Sequence, residues 1–287
     1  MATGLRPLIG RLGGTNALTP GLLRIGVFHR LRRRHGQQYC PVCIARDQKR
    51  YLRRDWRLAF MVLCPEHGCL LRDACPDCDA PVTAHRSPDL QVDCCWNCEA
   101  RLNGQPVAAP AAVVVAQQSI WTHWESGTVP IGDDVISFPD WLAGIRILFR
   151  ALGRQSGDRR LPKAAERIFE IDRTQLSKAG PLEQSRVTGR ATLLPVAVGL
   201  VDVWPERLIK VCVDARLRLG DLIDPLREKA PLWMEAAIAQ LPHERRHRKP
   251  RRRSGPPAIS VAAARRQIDL ASTIKDRLDK LESGAEP

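Results

Sequence analysis

The sequence lacks any long apolar stretch. Its apolar runs, such as the one around Ala111–Ala116, are much too short to cross a bilayer. No targeting segment is visible, so we expect a cytoplasmic protein with no membrane partner. The 287 residues also contain no nucleotide-binding loop, no nucleophile elbow and no spaced set of catalytic carboxylates. These absences argue against a membrane protein and against the common classes of enzyme.

Aromatic and acidic residues are both scarce. With two Tyr, five Phe and seven Trp, the chain lacks the interleaved aromatics on which single-stranded nucleic acid stacks. The acidic residues number 31 against 45 Lys and Arg, which leaves a formal charge of +14. This excess predicts an anionic partner, most simply double-stranded DNA. An acidic membrane surface is the weaker alternative.

Cysteine, in contrast, is plentiful and regularly spaced. The chain has ten cysteines, and together with one histidine most of them fall into pairs separated by two residues. Such a gap lets a tight turn aim both side chains at one ion, and two turns complete a tetrahedron with no open position. We therefore predict two structural zinc ions per chain, held by three cysteines with a histidine and by four cysteines. The predicted ligands are Cys40, Cys43, Cys64 and His67 in the first site and Cys75, Cys78, Cys95 and Cys98 in the second.

Disulfides and a thioredoxin-like redox pair are the alternatives to zinc. No secretory signal indicates an oxidising compartment, and a redox pair stands alone beside a βαβ pattern rather than recurring. Four protein ligands per site also leave no place for an activated water, which disfavours a metalloenzyme. Three cysteines remain: Cys94 could replace Cys95 as a ligand, while Cys69 and Cys212 are expected to be small buried apolar groups.

Two basic runs are predicted to contact DNA phosphates. One precedes the first zinc site, and the other follows His243 and is interrupted by a proline that favours an extended chain. A solvated surface or linker is the alternative for each run. The predicted contacts are Arg32, Arg33 and Arg34 in the first run and Arg245, Arg246, Arg248, Lys249, Arg251, Arg252 and Arg253 in the second.

The predicted fold is a pair of small zinc-binding modules, of the zinc-ribbon or zinc-finger kind, followed by a mainly α-helical domain. A helix across Ala45–Leu63 would pack Tyr51, Trp56 and Phe60 on the metal. Ser137 is expected to cap a helix through Leu152. Further helices are expected at Ala164–Ile171, Gly189–Val203, Glu206–Leu217 and Trp233–Leu241. The predicted boundaries are an N-terminal basic segment at 1–38, zinc modules at 39–102, a connector at 103–130, a helical domain at 131–243, a basic linker at 244–258 and a C-terminal helix at 259–287.

A helix-turn-helix could lie within the helical domain. Its turn would fall at Arg216–Leu222, with Gly220 in a left-handed conformation. A helical hairpin that serves only packing is at least as good an interpretation.

The order of motifs between Tyr39 and Leu102 resembles the TniQ family of transposition proteins, which includes TnsD-like target selectors. The motifs are Cys-Pro-x-Cys, Arg-Arg-Asp-Trp-Arg, Cys-Pro-x-His-Gly, Leu-Leu and a second Cys-Pro-x-Cys. The resemblance implies a bacterial, nucleoid-associated, zinc-binding DNA protein without catalysis, which uses the eight ligands named above. It also implies partnership with an AAA+ ATPase of the TniB/TnsC type and, indirectly, with a transposase. A homodimer is left open.

The chain departs from the family before the first zinc site. Family members usually have a longer region there, with a Pro-Gly-Glu-Ser-like entry into a helical segment, whereas 39 residues precede Cys40 here. We therefore expect a truncated or divergent N-terminal region, and ATPase docking is less firmly implied than zinc binding. Zinc modules and a basic run would equally suit a stand-alone transcription regulator, which is the alternative function.

Overall fold

The computed structural model describes residues 3–16, 18–25, 35–87, 91–153, 160–169, 180–223 and 229–241. All of these belong to one compact unit, Met1–Glu244. A second unit, Arg245–Pro287, lies outside the described residues. Both predicted phosphate-binding runs, Arg32–Arg34 and Arg245–Arg253, and the predicted C-terminal helix at 259–287 also lie outside them.

The first hundred residues contain little regular structure. Among the described ones, α1 spans Arg6–Arg11, α2 spans Pro41–Arg46, and single 3-10 turns lie at Thr3–Leu5, Arg54–Arg57 and Ala84–Arg86. The predicted helix across residues 45–63 is therefore wrong. Trp56 and Phe60 are buried as predicted, whereas Tyr51 is 52% exposed.

Side chains from distant parts of the chain explain why residues 58–63 do not form a helix. Gln38 donates to the Met61 carbonyl over 3.1 Å, and Arg190 donates to the Ala59 carbonyl over 2.7 Å. The Val62 amide donates to the Gln117 side chain over 2.8 Å. Because buried backbone groups need partners, these side chains replace the hydrogen bonds that a helix would have made.

The remaining described residues are mostly helical. A hairpin of two antiparallel strands, β1 (Thr128–Ile131) and β2 (Asp134–Ser137), pairs Thr128 with Ser137 and Ile131 with Asp134. None of the helices that the structure describes is long and apolar enough to cross a membrane. The helices are α3 (Ala111–Ser126), α4 (Phe138–Leu152), α5 (Arg160–Phe169), α6 (Val187–Gly199), α7 (Glu206–Asp214), α8 (Leu219–Leu222) and α9 (Leu232–Ile238).

Helix α4 confirms the predicted cap. The Ser137 hydroxyl accepts from the Asp140 amide over 3.2 Å and donates to the Asp140 carboxylate over 2.6 Å. Pro139 lies in the first turn, where its missing N–H costs nothing. The helix ends at Leu152, as the sequence predicts, and Gly153 is its C-cap.

Helix α3 lies within the stretch expected to be a connector. Its Val113, Ile120 and Trp124 are buried, and α3 and α4 both pack on α6. Trp124 and Phe138 each lie within 5.3 Å of the Phe60 ring, measured between ring centroids. Since Phe60 belongs to the metal-binding half, that half shares one hydrophobic core with the helices.

The helix-turn-helix is not shown. Helix α7 ends at Asp214, and the left-handed residue in the turn is Arg216, with φ of 50°, rather than Gly220. The next helix, α8, has a single turn. A recognition helix therefore does not follow within the described residues 219–223.

The N-terminus of α6 donates a hydrogen bond to a residue that is distant in the chain. Its N-cap residue, Arg186, makes no side-chain cap. Instead the Val187 amide donates to the buried Asp73 carboxylate over 2.6 Å. Negative charge at a helix N-terminus is stabilising because the macrodipole is positive there. Asp73 thus ties the metal-binding half to the helical half.

Candidate metal centres

Three of the four ligand pairs lie on the same kind of tight backbone turn, which we call a knuckle. In each, the amide of the first cysteine donates to the carbonyl five residues on, over 2.8–2.9 Å. The residue after the second ligand has a positive φ of 56–61° and donates its amide back to the first cysteine's carbonyl. The first cysteines are Cys64, Cys75 and Cys95, and the left-handed residues are Gly68, Asp79 and Glu99.

The fourth pair uses a helix instead of a knuckle. Cys40 is the N-cap of α2, and its sulfur accepts from the Cys43 amide at 3.5 Å. Pro41 occupies the first helical position. One helical turn therefore brings the Cys40 and Cys43 side chains to the same ion site as the knuckle at Cys64.

The first cluster joins the helix pair to the first knuckle. Cys43 Sγ lies 3.6 Å from Cys64 Sγ, and His67 Nδ1 lies 3.7 Å from Cys40 Sγ. The same ring nitrogen is 3.3 Å from Cys43 Sγ and 3.5 Å from Cys64 Sγ. All four donor atoms lie within 4.8 Å of one another.

The second cluster joins the other two knuckles. Cys75 Sγ lies 3.6 Å from Cys98 Sγ, and Cys78 Sγ lies 3.6 Å from Cys95 Sγ. A tetrahedral zinc with Zn–S bonds of about 2.3 Å would place its sulfurs roughly 3.8 Å apart. The spacing in both clusters, and the all-sulfur or sulfur-nitrogen donors, therefore fit zinc.

Burial makes the first cluster an unfavourable place for thiolates without a cation. Burial raises the pKa of the Cys43 thiol to about 12, and the neighbouring Cys64 adds to the rise. Hydrogen bonding to Cys40, together with burial, raises the pKa of the Cys64 thiol. A divalent cation would supply the charge that lets these sulfurs bind as thiolates.

An arginine positions the loop beside the first cluster. Arg53 pairs with Asp47 at 3.0 Å and with Glu66 at 3.1 Å. Its guanidinium lies 4.9 Å from the Tyr51 ring centroid and 5.0 Å from that of Trp56. Because Glu66 precedes His67, this pairing fixes the knuckle that carries two of the four donors.

A buried carboxylate links the two clusters. Asp93 pairs with Arg50 at 3.1 Å and with Arg101. Arg50 comes from the first metal-binding segment, and the other two residues belong to the second. Trp96 also donates its indole N–H to the Pro81 carbonyl over 2.9 Å, which holds the two knuckles of the second cluster together.

The three remaining cysteines have different surroundings. Cys95, not Cys94, joins the second cluster, and Cys94 Sγ donates to the Gln91 side chain at 3.1 Å. Cys69 is buried as predicted, but its sulfur lies 3.6 Å from Cys40 Sγ, a placement that the sequence analysis missed. Burial raises the pKa of the Cys212 thiol to about 12 in the helical core.

Sequence reasoning also missed the polar group at the centre of the molecule. Arg190 is fully buried on α6 and donates to the Gln38 side chain at 2.9 Å and to the Ser185 carbonyl at 3.1 Å, in addition to its bonds with residues 59 and 61. Burial lowers its pKa to about 10. Nothing in the local sequence distinguishes this arginine from an exposed one.

Comparison with known families ties this geometry to one of them. Residues 12–71 match the TniQ family model. The TniQ match contains the whole first cluster and ends before Cys75. It also begins well ahead of Cys40, so part of the N-terminal region that we expected to be truncated or divergent belongs to the matched segment.

The match supports the resemblance to the TniQ family that the motifs indicate. Comparison with curated proteins and with solved structures gave no match.

Proposed function

We propose that this chain is a non-enzymatic, zinc-containing, DNA-binding accessory protein of transposition. It would help select or mark the target site and link DNA to an AAA+ ATPase of the TniB/TnsC type and, through it, to a transposase. One observation carries the proposal: a complete cluster of four metal donors lies inside the segment that matches TniQ.

The donor sets support a structural role for zinc. Each cluster offers four protein donors, which fill a tetrahedron and leave no position for water or substrate. Cys40, Cys43, Cys64 and His67 would hold one ion, and the other four cysteines would hold the second. Bound there, zinc would supply folding energy, since a site of this kind does not exist in the unfolded chain.

Electrostatics supports DNA as the partner. The formal charge of +14 favours a polyanion, and phosphate contacts account for most non-specific DNA affinity. The ATPase and transposase partners come from the family alone.

A reconstituted insertion assay tests the proposal. The chain is combined with a donor transposon and with the ATPase and transposase that adjacent genes encode. Insertion sites are then mapped in the presence and in the absence of the chain. We expect insertions to concentrate at preferred sites only when the zinc-loaded chain is present. DNA cleavage by the chain alone, abolished by a point mutation in it, would contradict the proposal. Tight binding to a specific DNA without any effect on insertion would indicate the transcription regulator instead.

A further inference from the structure

The loop between α2 and the 3-10 turn at Arg54–Arg57 is unusually basic. Residues 46–54, which we name the basic loop, contain five Arg or Lys and a single acid, Asp47. The loop lies inside the TniQ match and beside the first cluster, but contains none of the proposed metal ligands. It is also separate from the two basic runs predicted from the sequence.

Two of the five cations hold the loop in place. Arg53 is bound by Asp47 and Glu66 and stacks near Tyr51. Arg50 pairs with Asp93 of the second metal-binding segment and donates to the Ile44 carbonyl at 3.2 Å. The middle of the loop and its C-terminal end are thereby fixed to the metal-binding half, so little conformational entropy remains to be lost on binding.

The other three cations are directed outward. Arg46, Lys49 and Arg54 are exposed, and none forms an ion pair within the described residues. Arg46 adjoins Asp47 and Arg54 adjoins Arg53, so the 3.0 Å pair between Asp47 and Arg53 draws together the two ends of the loop that carry these cations. The loop thus presents unpaired positive charge on a rigid support.

We propose that the basic loop is a contact surface for the phosphate backbone of duplex DNA, through Arg46, Lys49 and Arg54. The proposal rests on the DNA-binding function proposed above and names a surface for it. A duplex fits better than a single strand, because the loop's only aromatic, Tyr51, lies against Arg53 and cannot by itself form a stacking platform. Point charges without base-reading geometry position a protein on DNA and do not select sequence.

Salt dependence of DNA binding tests the proposal. In a triple variant, Arg46→Ala, Lys49→Ala and Arg54→Ala, affinity for duplex DNA is measured by fluorescence anisotropy between low and moderate salt. The logarithm of affinity falls as the logarithm of salt concentration rises, and each phosphate contact contributes roughly 0.9 to the steepness of that fall. We therefore expect the variant's plot to be less steep by up to about three. The loss should be similar for unrelated duplexes, and zinc content should stay unchanged because both anchoring arginines are retained.

A matched control removes the same charge elsewhere. Arg6, Lys163 and Arg167 are also exposed, and they provide two Arg and one Lys on α1 and α5. Their triple alanine variant should keep most of the wild-type slope. A second variant, Arg46→Lys with Arg54→Lys, should also keep it, since lysine binds phosphate as a point charge.

The outcomes separate this inference from the proposed function. If the wild-type chain binds no duplex DNA, the proposed function fails together with the inference. If the wild type binds and the loop variant keeps its slope, only the inference is overturned. If the control triple variant lost as much of the salt slope as the loop variant, the effect would come from net charge alone. That result would also overturn the inference. Weakened binding to RNA or to an acidic protein, with duplex DNA binding unchanged, would assign the loop to that partner instead.

Discussion

The two metal clusters share their donor chemistry but differ in how they are built into the protein. In the first, Cys40 and Cys43 are fully buried and Cys64 is 1% exposed. In the second, Cys75 and Cys95 are 3% exposed, but Cys98 is on the surface. Similar ligand patterns in the sequence thus lead to one cluster within the core and one at its edge.

The backbone around each cluster explains the difference. Residues 58–63 lead into the first cluster and lie beneath α3 and α6, where Gln117 and Arg190 satisfy their backbone groups. The second cluster is joined to the remainder through fewer polar contacts, chiefly Asp93 with Arg50 and Asp79 with Arg186. Loss of the first metal should therefore affect the whole unit, and loss of the second should act locally.

Replacement of a ligand in the first cluster should have the largest effect. Cys43→Ser removes one donor from a site inside the core, and structural zinc contributes free energy comparable with the whole free energy of unfolding, about 5–15 kcal/mol. We expect one zinc ion per chain by elemental analysis and loss of the cooperative thermal transition. A variant that retains two zinc ions and the wild-type Tm would contradict the ligand assignment.

Replacement of the buried arginine should rank second. Arg190→Met leaves the Ala59 carbonyl without its side-chain donor and leaves only Gln38 as the side-chain donor to the Met61 carbonyl. A buried acceptor that loses its partner costs about 1–3 kcal/mol. We expect a clearly lower midpoint in urea, with both zinc ions retained. Arg167→Met on the exposed face of α5 is the control and should change stability by less than about 0.5 kcal/mol. Equal midpoints for the two variants would contradict a central role for Arg190.

Replacement of a ligand in the second cluster should have a more local effect. Cys78→Ser should also reduce zinc to one ion per chain, because the knuckle loses its second donor. Hydrogen exchange should accelerate in residues 75–102 and remain slow in α4 and α6. If this variant lost its cooperative transition as Cys43→Ser does, the contrast between the clusters would be wrong.

The Asp93 carboxylate that links the two clusters should contribute less to the free energy of unfolding. Asp93→Asn removes the charge shared by Arg50 and Arg101, both of which are about half exposed. Solvent screens such pairs, so we expect a loss of about 1 kcal/mol. Both zinc ions should remain, while exchange in residues 75–102 becomes moderately faster. Unchanged exchange there would show that other contacts hold the second cluster in place.

The extra sulfur beside the first cluster gives the smallest and sharpest test. Cys69→Ala should keep two zinc ions and cost about 1 kcal/mol, as for a small buried group. His67→Ala should lose one ion. If the two results were exchanged, Cys69 rather than His67 would be the fourth donor.

The donor clusters and α4 could be predicted from the sequence because their determinants are local. Two-residue gaps between ligands imply a knuckle, and Ser137 with Asp140 implies a cap. Helix α3 was missed because its pattern is blurred: Val113 is buried, but Val115 is 65% exposed. The course of residues 58–63 was missed because it depends on Arg190, which lies 131 residues from Ala59 in the chain.

The Asp73 carboxylate at the start of α6 orders events during synthesis. The two bonded residues are 114 positions apart, and the ribosome needs roughly 6–23 seconds to cover that distance at 5–20 residues per second. All ligands of both clusters are translated within this interval or before it. Zinc can therefore fix the acceptor in position before the helix that requires it has left the ribosome. We therefore expect the supply of zinc at that moment to influence whether α6 packs on a metal-binding half that is already folded.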